Sequence, residues 1–151
     1  MNTHPISVLF VCLGNICRSP AAEAVMRALA PQWHLDSAGT GGWHVGEPPH
    51  PPMIAAAAAR GYDMARLRAR QVETADFRRF DHLIAMDTEN LKHLRQICPA
   101  DATARLGLLL DHLPDTKGQA VPDPYYTGDF IGALTLIEAG CRALLHDLSP
   151  P

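Results

Sequence analysis

The sequence lacks the features of membrane-spanning, secreted and nucleic-acid-binding proteins. No stretch of its 151 residues approaches the roughly 20 consecutive apolar residues that a membrane span requires. The first eleven residues lack the charged region and cleavage site of a signal peptide, and their apolar part is better explained as a strand. A formal net charge of −3 gives no general reason to expect binding to nucleic acid or to a membrane surface. We therefore expect a cytoplasmic protein that binds neither.

Internal repeats, linkers, low-complexity tracts and metal-ligand motifs are also lacking. The eight histidines are scattered, and no group of His, Cys, Asp or Glu has the spacing of a metal site, so we expect no metal and no cofactor. The four cysteines do not predict structural disulfides in a reducing compartment. The length and the 47% apolar composition are those of one globular domain, residues 1–151, which we expect to be a monomer or a weak dimer.

Apolar runs alternate with helical segments along the chain. The patterns predict strands over residues 6–11, 32–37, 82–86 and 104–110, helices over 21–30, 53–60, 74–80, 87–97 and 127–148, and loops over 39–52 and 114–126. This alternation predicts an α/β fold, a doubly wound four-stranded parallel sheet with helices on both faces. Ligands of such sheets bind beyond the carboxyl ends of the strands.

A thiol and a guanidinium lie close together in the chain directly after the first predicted strand. Cys12 and Arg18 have five residues between them, and Ser19-Pro20 marks the start of a helix. We expect a strand-to-helix turn whose backbone N–H groups converge at the positive end of the helix dipole, which suits a phosphate dianion. Arg18 would bind that phosphate with two parallel hydrogen bonds, and the site would favour the thiolate of Cys12. A cysteine at a strand end is by itself more often a small buried apolar residue.

A carboxylic acid flanked by two prolines is the second candidate. A thiolate that displaces a phenolate from phosphorus needs an acid to protonate the leaving oxygen. Asp123 lies between Pro122 and Pro124, which stiffen the loop and fix the direction of the carboxylate. Asp-Pro is also a common turn dipeptide, so this segment alone does not decide between catalysis and structure.

These motifs together resemble those of a known enzyme family. Residues 8–25, VLFVCLGNICRSPAAEAV, closely resemble the signature of the low-molecular-weight protein tyrosine phosphatases, and the resemblance covers nearly the whole chain. It implies hydrolysis of phosphotyrosine proteins and small aryl phosphates through a cysteinyl-phosphate, with Cys12 as nucleophile, Arg18 as phosphate ligand and Asp123 as general acid and base. The residues that it implies for phosphate binding are Leu13, Gly14, Asn15, Ile16, Cys17, Arg18 and Ser19; we call residues 12–18 the phosphate loop.

The resemblance implies an aromatic substrate site. Trp43 lies on a glycine-rich loop, where it is hard to explain as a core residue, and it matches the eukaryotic-like class of the family. Trp43, Tyr125 and Tyr126 would form the walls around a substrate tyrosine, and we call these three residues the aromatic wall. By resemblance, the two tyrosines are also sites at which such enzymes are themselves phosphorylated.

Supporting roles follow from the same resemblance. Ser37 corresponds to the serine that hydrogen-bonds the loop asparagine, Asn15. Ser19 has two compatible roles, as the cap of the helix and as a donor to the thiolate. Cys17 would act as a resolving thiol that pairs with Cys12 under oxidation, although packing into the core is the alternative. Asp87 is either an acidic residue near the site or a helix cap.

Two positions depart from the family pattern. Many members have Asp-Pro-Arg where this chain has His50-Pro51-Pro52, and many have a histidine supporting the loop asparagine where this chain has Leu67. We expect the first change to alter loop anchoring and the second to remove a donor to Asn15. The hypothesis is a less rigid phosphate loop with activity retained.

Three other functions remain open. An arsenate reductase on this fold would need two relay cysteines after the third strand, and residues 82–92 contain none. A protein-arginine phosphatase would have Thr in place of Ile16 and no tryptophan at Trp43, so both residues favour phosphotyrosine. A non-catalytic phosphate-binding module would not need Cys12, Arg18 and Asp123 together.

Overall fold

Four parallel strands form the centre of the protein. The computed structural model describes residues 5–149. The strands are β1 Ser7–Cys12, β2 His34–Gly39, β3 His82–Ala85 and β4 Arg105–Leu108, in the order β2-β1-β3-β4. Cys12 pairs with Gly39 at the carboxyl end of the sheet, and Val11 pairs with Ala85. The predicted α/β fold class is confirmed.

Helices cover both faces of this sheet. They are α1 Arg18–Leu29, α2 Pro51–Ala58, α3 Asp76–Arg79, α4 Thr88–Ile97, α5 Pro124–Thr127 and α6 Phe130–Leu148, with a 3-10 turn at Leu109–His112. Alternate residues of a strand face opposite sides. Val8 and Phe10 therefore join the core beneath α1, α2 and α6, whereas Leu9 and Val11 join the core beneath α3 and α4. No helix among residues 5–149 is long and apolar enough to cross a membrane.

The ends of several elements differ from the prediction. Helix α1 begins at Arg18 rather than at residue 21, and β2 lies two residues later than expected. The predicted loop over residues 114–126 contains the start of the short helix α5. Gly128, with a φ of 77°, ends α5 in the left-handed conformation, and the Asp129 carboxylate then caps α6 by accepting from the Gly132 N–H. The final helix consequently begins at Phe130 rather than at residue 127.

Candidate active site

The phosphate loop joins the carboxyl end of the central strand β1 to the first turn of α1. Cys12 is the last residue of β1, and Arg18 is the first residue of α1. Asn15 has a φ of 58°, a left-handed conformation that Asn tolerates better than most residues. The loop lies directly on Gly39, where an added Cβ would be 2.8 Å from the carbonyl oxygen of Leu13. A side chain on Gly39 would therefore displace the loop.

The Cys12 thiol is buried, and two polar groups lie within hydrogen-bond distance of its sulfur. Its Sγ lies 2.9 Å from the Ser19 Oγ and accepts from the Asn15 backbone N–H at 3.3 Å. Ser19 does not cap α1, because the N-cap residue is Cys17, whose side chain makes no capping bond. The capping role expected for Ser19 is wrong: the N-cap lies two residues earlier, at Cys17, and the Ser19 hydroxyl lies beside the sulfur instead.

Every polar atom of the Asn15 side chain has a partner. Its Nδ2 donates to the Ser19 Oγ at 2.8 Å and to the Ser37 Oγ at 3.0 Å, and its Oδ1 accepts from the Arg70 backbone N–H at 3.0 Å. The contact expected between Ser37 and Asn15 is therefore present. Leu67 has no side-chain donor, as expected, but Asn15 is not left unsatisfied, because the Arg70 backbone N–H donates to its Oδ1. The hypothesis of a less rigid loop therefore has no unsatisfied Asn15 to support it.

The side chain of Arg70 anchors residues 68–71, the segment whose backbone donates to Asn15. Its guanidinium forms two hydrogen bonds with Asp76, which is fully buried, and a third with Asp36 on β2. The pKa of Arg70 is lowered by burial, but the hydrogen bond to Asp76 and the two carboxylates outweigh this and raise it above its ordinary value. Sequence reasoning missed this role, although the segment 68–71 matched the family.

His50 links the phosphate loop to the aromatic wall. Its backbone N–H donates to the Ile16 carbonyl oxygen at 2.8 Å. The ring centroid lies 5.3 Å from that of Tyr125 and 5.7 Å from that of Phe130, at the start of α6. In this chain, His50 therefore anchors the loop through a backbone hydrogen bond and two aromatic contacts.

The Arg18 guanidinium is buried between two carboxylates. Its Nη1 donates to Asp87 at 2.8 Å and to the Val121 carbonyl oxygen at 3.0 Å, and its Nη2 donates to Asp123 at 3.3 Å. Burial lowers the pKa of Arg18, but the negative charges of Cys12, Asp123 and Asp87 outweigh it, so the pKa is raised overall. Asp87 fills both roles considered for it, since its other oxygen caps α4 by accepting from the Asn90 N–H.

Asp123 is held in place by its own loop and lies at the mouth of the site. One carboxylate oxygen accepts from the Tyr125 N–H at 3.1 Å and caps the short helix α5, and the other faces Arg18. The side chain is 22% exposed, so water reaches the carboxyl group. Asp123 is therefore both oriented and accessible.

These groups surround one cleft of about 230 Å³. Cys12, Arg18 and Asp123 line it together with the aromatic wall, in which Tyr125 and Tyr126 meet edge to face at 5.4 Å. Trp43 is 70% exposed and Tyr126 is 75% exposed, so both rings have free faces. Sequence reasoning missed His44, which also lines the cleft and hydrogen-bonds Glu47 at 3.1 Å. Its position next to Trp43 in the chain was the available signal.

Cys17 lines the same cleft, and its thiol is a weak acid. Burial, followed by the charges of Cys12 and Asp123, raises the pKa of Cys17 to about 12. Cys17 is therefore almost entirely protonated near neutral pH and is a slow nucleophile. All four cysteines are free; Cys141 is buried in α6, and Cys98 follows α4. Within residues 5–149, no group of three or more His, Cys, Asp or Glu side chains is arranged to hold a metal ion.

The family model of the low molecular weight phosphotyrosine protein phosphatases matches residues 7–150. The chain belongs to this family. The low molecular weight protein-tyrosine-phosphatase YfkJ of Bacillus subtilis is 48% identical to it over 149 residues, which are 95% of this chain and 96% of the relative. The crystal structure of YfkJ matches with a TM-score of 0.91 over 98% of this chain and 97% of that chain, at 45% identity.

Two other relatives show the range of the family. The low molecular weight phosphotyrosine protein phosphatase of Schizosaccharomyces pombe is 41% identical over 133 residues, 83% of this chain and 85% of the relative. The crystal structure of a Drosophila arginine phosphatase has a TM-score of 0.89 at 31% identity, and covers 97% of this chain and all of its own. Membership of the family confirms the resemblance and the expected enzyme class, a protein-tyrosine phosphatase.

Proposed function

We propose that this phosphatase hydrolyses phosphotyrosine in proteins, and small aryl phosphates, through a cysteinyl-phosphate intermediate. The observation that carries the proposal is the arrangement of three groups in one cleft. A buried thiol lies at its base, a buried guanidinium lies beside the phosphate loop, and an accessible carboxyl group contacts that guanidinium. The aromatic wall above them has exposed rings that suit an aromatic ester.

Arg18 and the backbone N–H groups of residues 13–18 bind the phosphate. The Arg18 Nη1 is already committed to Asp87 and the Val121 carbonyl oxygen, so these partners fix the plane of the guanidinium. Its bond from Nη2 to Asp123 is longer, at 3.3 Å, and a phosphate oxygen replaces Asp123 there. These donors also stabilise the equatorial oxygens of the transition state.

Two displacements at phosphorus complete the reaction. The Cys12 thiolate attacks in line and forms the S–P bond while the bond to the tyrosyl oxygen breaks, and Asp123 protonates that oxygen. Water then attacks the cysteinyl-phosphate, Asp123 takes a proton from the water, and the S–P bond breaks to release phosphate and the thiolate. Ser19 donates to the sulfur whenever it carries the negative charge.

Turnover is expected to be independent of metal ions. The scheme uses only side chains and backbone N–H groups to stabilise charge, so a chelator in excess should leave the hydrolysis of an aryl phosphate and of a phosphotyrosine peptide unchanged. Both rates are measured by phosphate release with and without the chelator. A loss of activity that added divalent cation restores would contradict the scheme, and an absence of turnover in either condition would favour a non-catalytic phosphate-binding module.

Phosphoarginine is the second candidate substrate, because one similar structure is that of an arginine phosphatase. Ile16 and the exposed Trp43 favour phosphotyrosine instead, since an apolar loop residue and a flat ring suit an aromatic ester. Comparison of kcat/KM for matched phosphotyrosine and phosphoarginine peptides separates the two. Arsenate reduction, the remaining alternative, is tested by arsenate-dependent oxidation of thioredoxin.

Cys17 is expected to protect Cys12 from irreversible oxidation. Peroxide oxidises the Cys12 thiolate to a sulfenic acid, which the Cys17 thiol attacks to form a disulfide with release of water. After a limited dose of peroxide, a dithiol reductant should therefore restore most of the activity of the wild type and little of that of Cys17→Ala. Cys98→Ala is the control and should recover like the wild type. Equal recovery of Cys17→Ala would contradict the role.

A further inference from the structure

Glu23 is a buried carboxylate that the mechanism above does not use. It lies on α1 with 4% of its surface exposed. One of its oxygens accepts from the Ser37 Oγ at 2.7 Å, and the other pairs with Arg27, one turn later, at 2.9 Å. Arg27 also donates to the Leu35 carbonyl oxygen at 3.1 Å, which holds it against β2. Glu23 therefore has one defined neutral donor and one defined counter-ion.

The hydrogens between Glu23 and Cys12 can be assigned one by one. The Asn15 Nδ2 has two hydrogens and no lone pair to accept with, and it donates them to the Ser37 and Ser19 hydroxyls. Each serine has a single hydrogen. That of Ser37 is directed at Glu23. A Cys12 thiolate can only accept, so in that state the hydrogen of Ser19 is directed at the Cys12 Sγ at 2.9 Å rather than at the Ala38 carbonyl oxygen at 3.4 Å.

We propose that Glu23 is a positioning residue for the nucleophile. As a carboxylate it only accepts, so it takes the hydrogen of Ser37 and fixes the direction of every hydrogen bond from Ser37 through Asn15 to Ser19. Ser19 is thereby left to donate to the thiolate of Cys12. The inference rests on the thiolate chemistry proposed above, and it adds the residue that orients the donor.

Glutamine at position 23 would reverse the direction of the hydrogen bond between this residue and Ser37. Arg27 can only donate, so it takes the glutamine oxygen, and the glutamine nitrogen is left to donate to Ser37. The hydrogen of Ser37 then has no acceptor unless the Asn15 amide turns its oxygen toward Ser37, which sacrifices the bonds of Asn15 to Ser19 and to the Arg70 N–H. Burial raises the pKa of Glu23 above its ordinary value, and Ser37 and Arg27 offset this only in part, so the carboxylate depends on both partners.

The substitution Glu23→Gln tests the proposal. A hydrogen bond to a charged group contributes about tenfold or more in an equilibrium, so we expect kcat for an aryl phosphate to fall about tenfold with KM nearly unchanged. Alkylation of Cys12 by iodoacetamide at mildly acidic pH, followed by mass analysis of the Cys12 peptide, should slow by a similar factor. Glu138→Gln is the matched control, because Glu138 also pairs with an arginine and a hydroxyl, Arg60 and Tyr62, but has no path to Cys12.

A double-mutant cycle separates positioning from folding. Ser37→Ala removes the hydroxyl that bonds both Glu23 and Asn15. In that background Glu23→Gln should therefore have no further effect on the alkylation rate. A Glu23→Gln effect of full size in that background would overturn the proposal, as would a lowered melting temperature with unchanged alkylation and kcat. If Glu23→Gln does not fold, Arg27→Gln removes the counter-ion of Glu23, together with the bond to the Leu35 carbonyl oxygen, and should slow alkylation about threefold. An unchanged rate there would also overturn the proposal. Alkylation needs no substrate, so the proposed function can fail without deciding this test.

Discussion

Replacement of Cys12 by serine is expected to abolish the hydrolysis of aryl phosphates and phosphotyrosine peptides, with kcat/KM at least about 10⁴-fold lower. A serine hydroxyl is a far weaker acid than a thiol, so it stays protonated in the same loop and cannot attack phosphorus. The N–H groups of residues 13–18 and Arg18 are unchanged, and the variant should still bind phosphate. Phosphate release is measured together with inhibition by inorganic phosphate.

Trapping of the intermediate makes this test specific. Acid quenching during turnover should yield phosphorylated wild-type protein, with the phosphate on the Cys12 peptide, and no phosphorylated Cys12→Ser. Cys98→Ser is the control, because Cys98 follows α4 away from the cleft, and it should retain full turnover and the trapped species. Turnover by Cys12→Ser at the wild-type rate would rule out the cysteinyl-phosphate.

Replacement of Asp123 by alanine is expected to have the second largest effect. A phenolate leaves phosphorus slowly unless its oxygen is protonated, so kcat should fall about 10²- to 10⁴-fold for phosphotyrosine and other esters with basic leaving groups. Activated aryl phosphates, whose leaving groups need no proton, should lose much less in the first step. The measurement is kcat across a series of aryl phosphates with leaving groups of increasing basicity.

Asp123 also caps α5, so its catalytic and structural roles must be separated. Asparagine accepts hydrogen bonds at a helix N-cap about as well as aspartate but cannot act as an acid. Asp123→Asn should therefore keep the bond to the Tyr125 N–H and be as slow as Asp123→Ala. Recovery of wild-type rates by Asp123→Asn would show that capping alone explains the effect of alanine.

Much of the fold could be predicted because it depends on short patterns. The apolar run before Cys12, the helix after it and the alternation of strands and helices predicted the parallel sheet, now seen as β2-β1-β3-β4. The errors lie at element ends. Helix α1 starts at Arg18, which removed the cap assigned to Ser19, and Gly128 separates α5 from α6. Such ends depend on backbone conformation and capping, which residue patterns specify weakly.

The candidate site, like the fold, could be predicted from the sequence only in part. Cys12 and Arg18 lie in one turn, so their spacing alone predicted that they share a loop. Asp123 is 105 positions from Arg18, and only the resemblance to known enzymes associated the two before the structure gave a distance of 3.3 Å.

The contacts that support the phosphate loop were beyond any sequence pattern. The N–H that bonds Asn15 belongs to the backbone of Arg70, and every residue except proline has such a donor. No side chain therefore marks it, and the absence of a histidine at position 67 did not reveal that Asn15 has another donor. The direction of the hydrogen bonds from Glu23 to Cys12 depends on which donors and acceptors meet across α1, β2 and the loop. The sequence by itself determined the chemical groups and the sheet that presents them. Only the tertiary structure decided their partners, because those partners come from distant segments whose approach depends on the packing of the whole sheet.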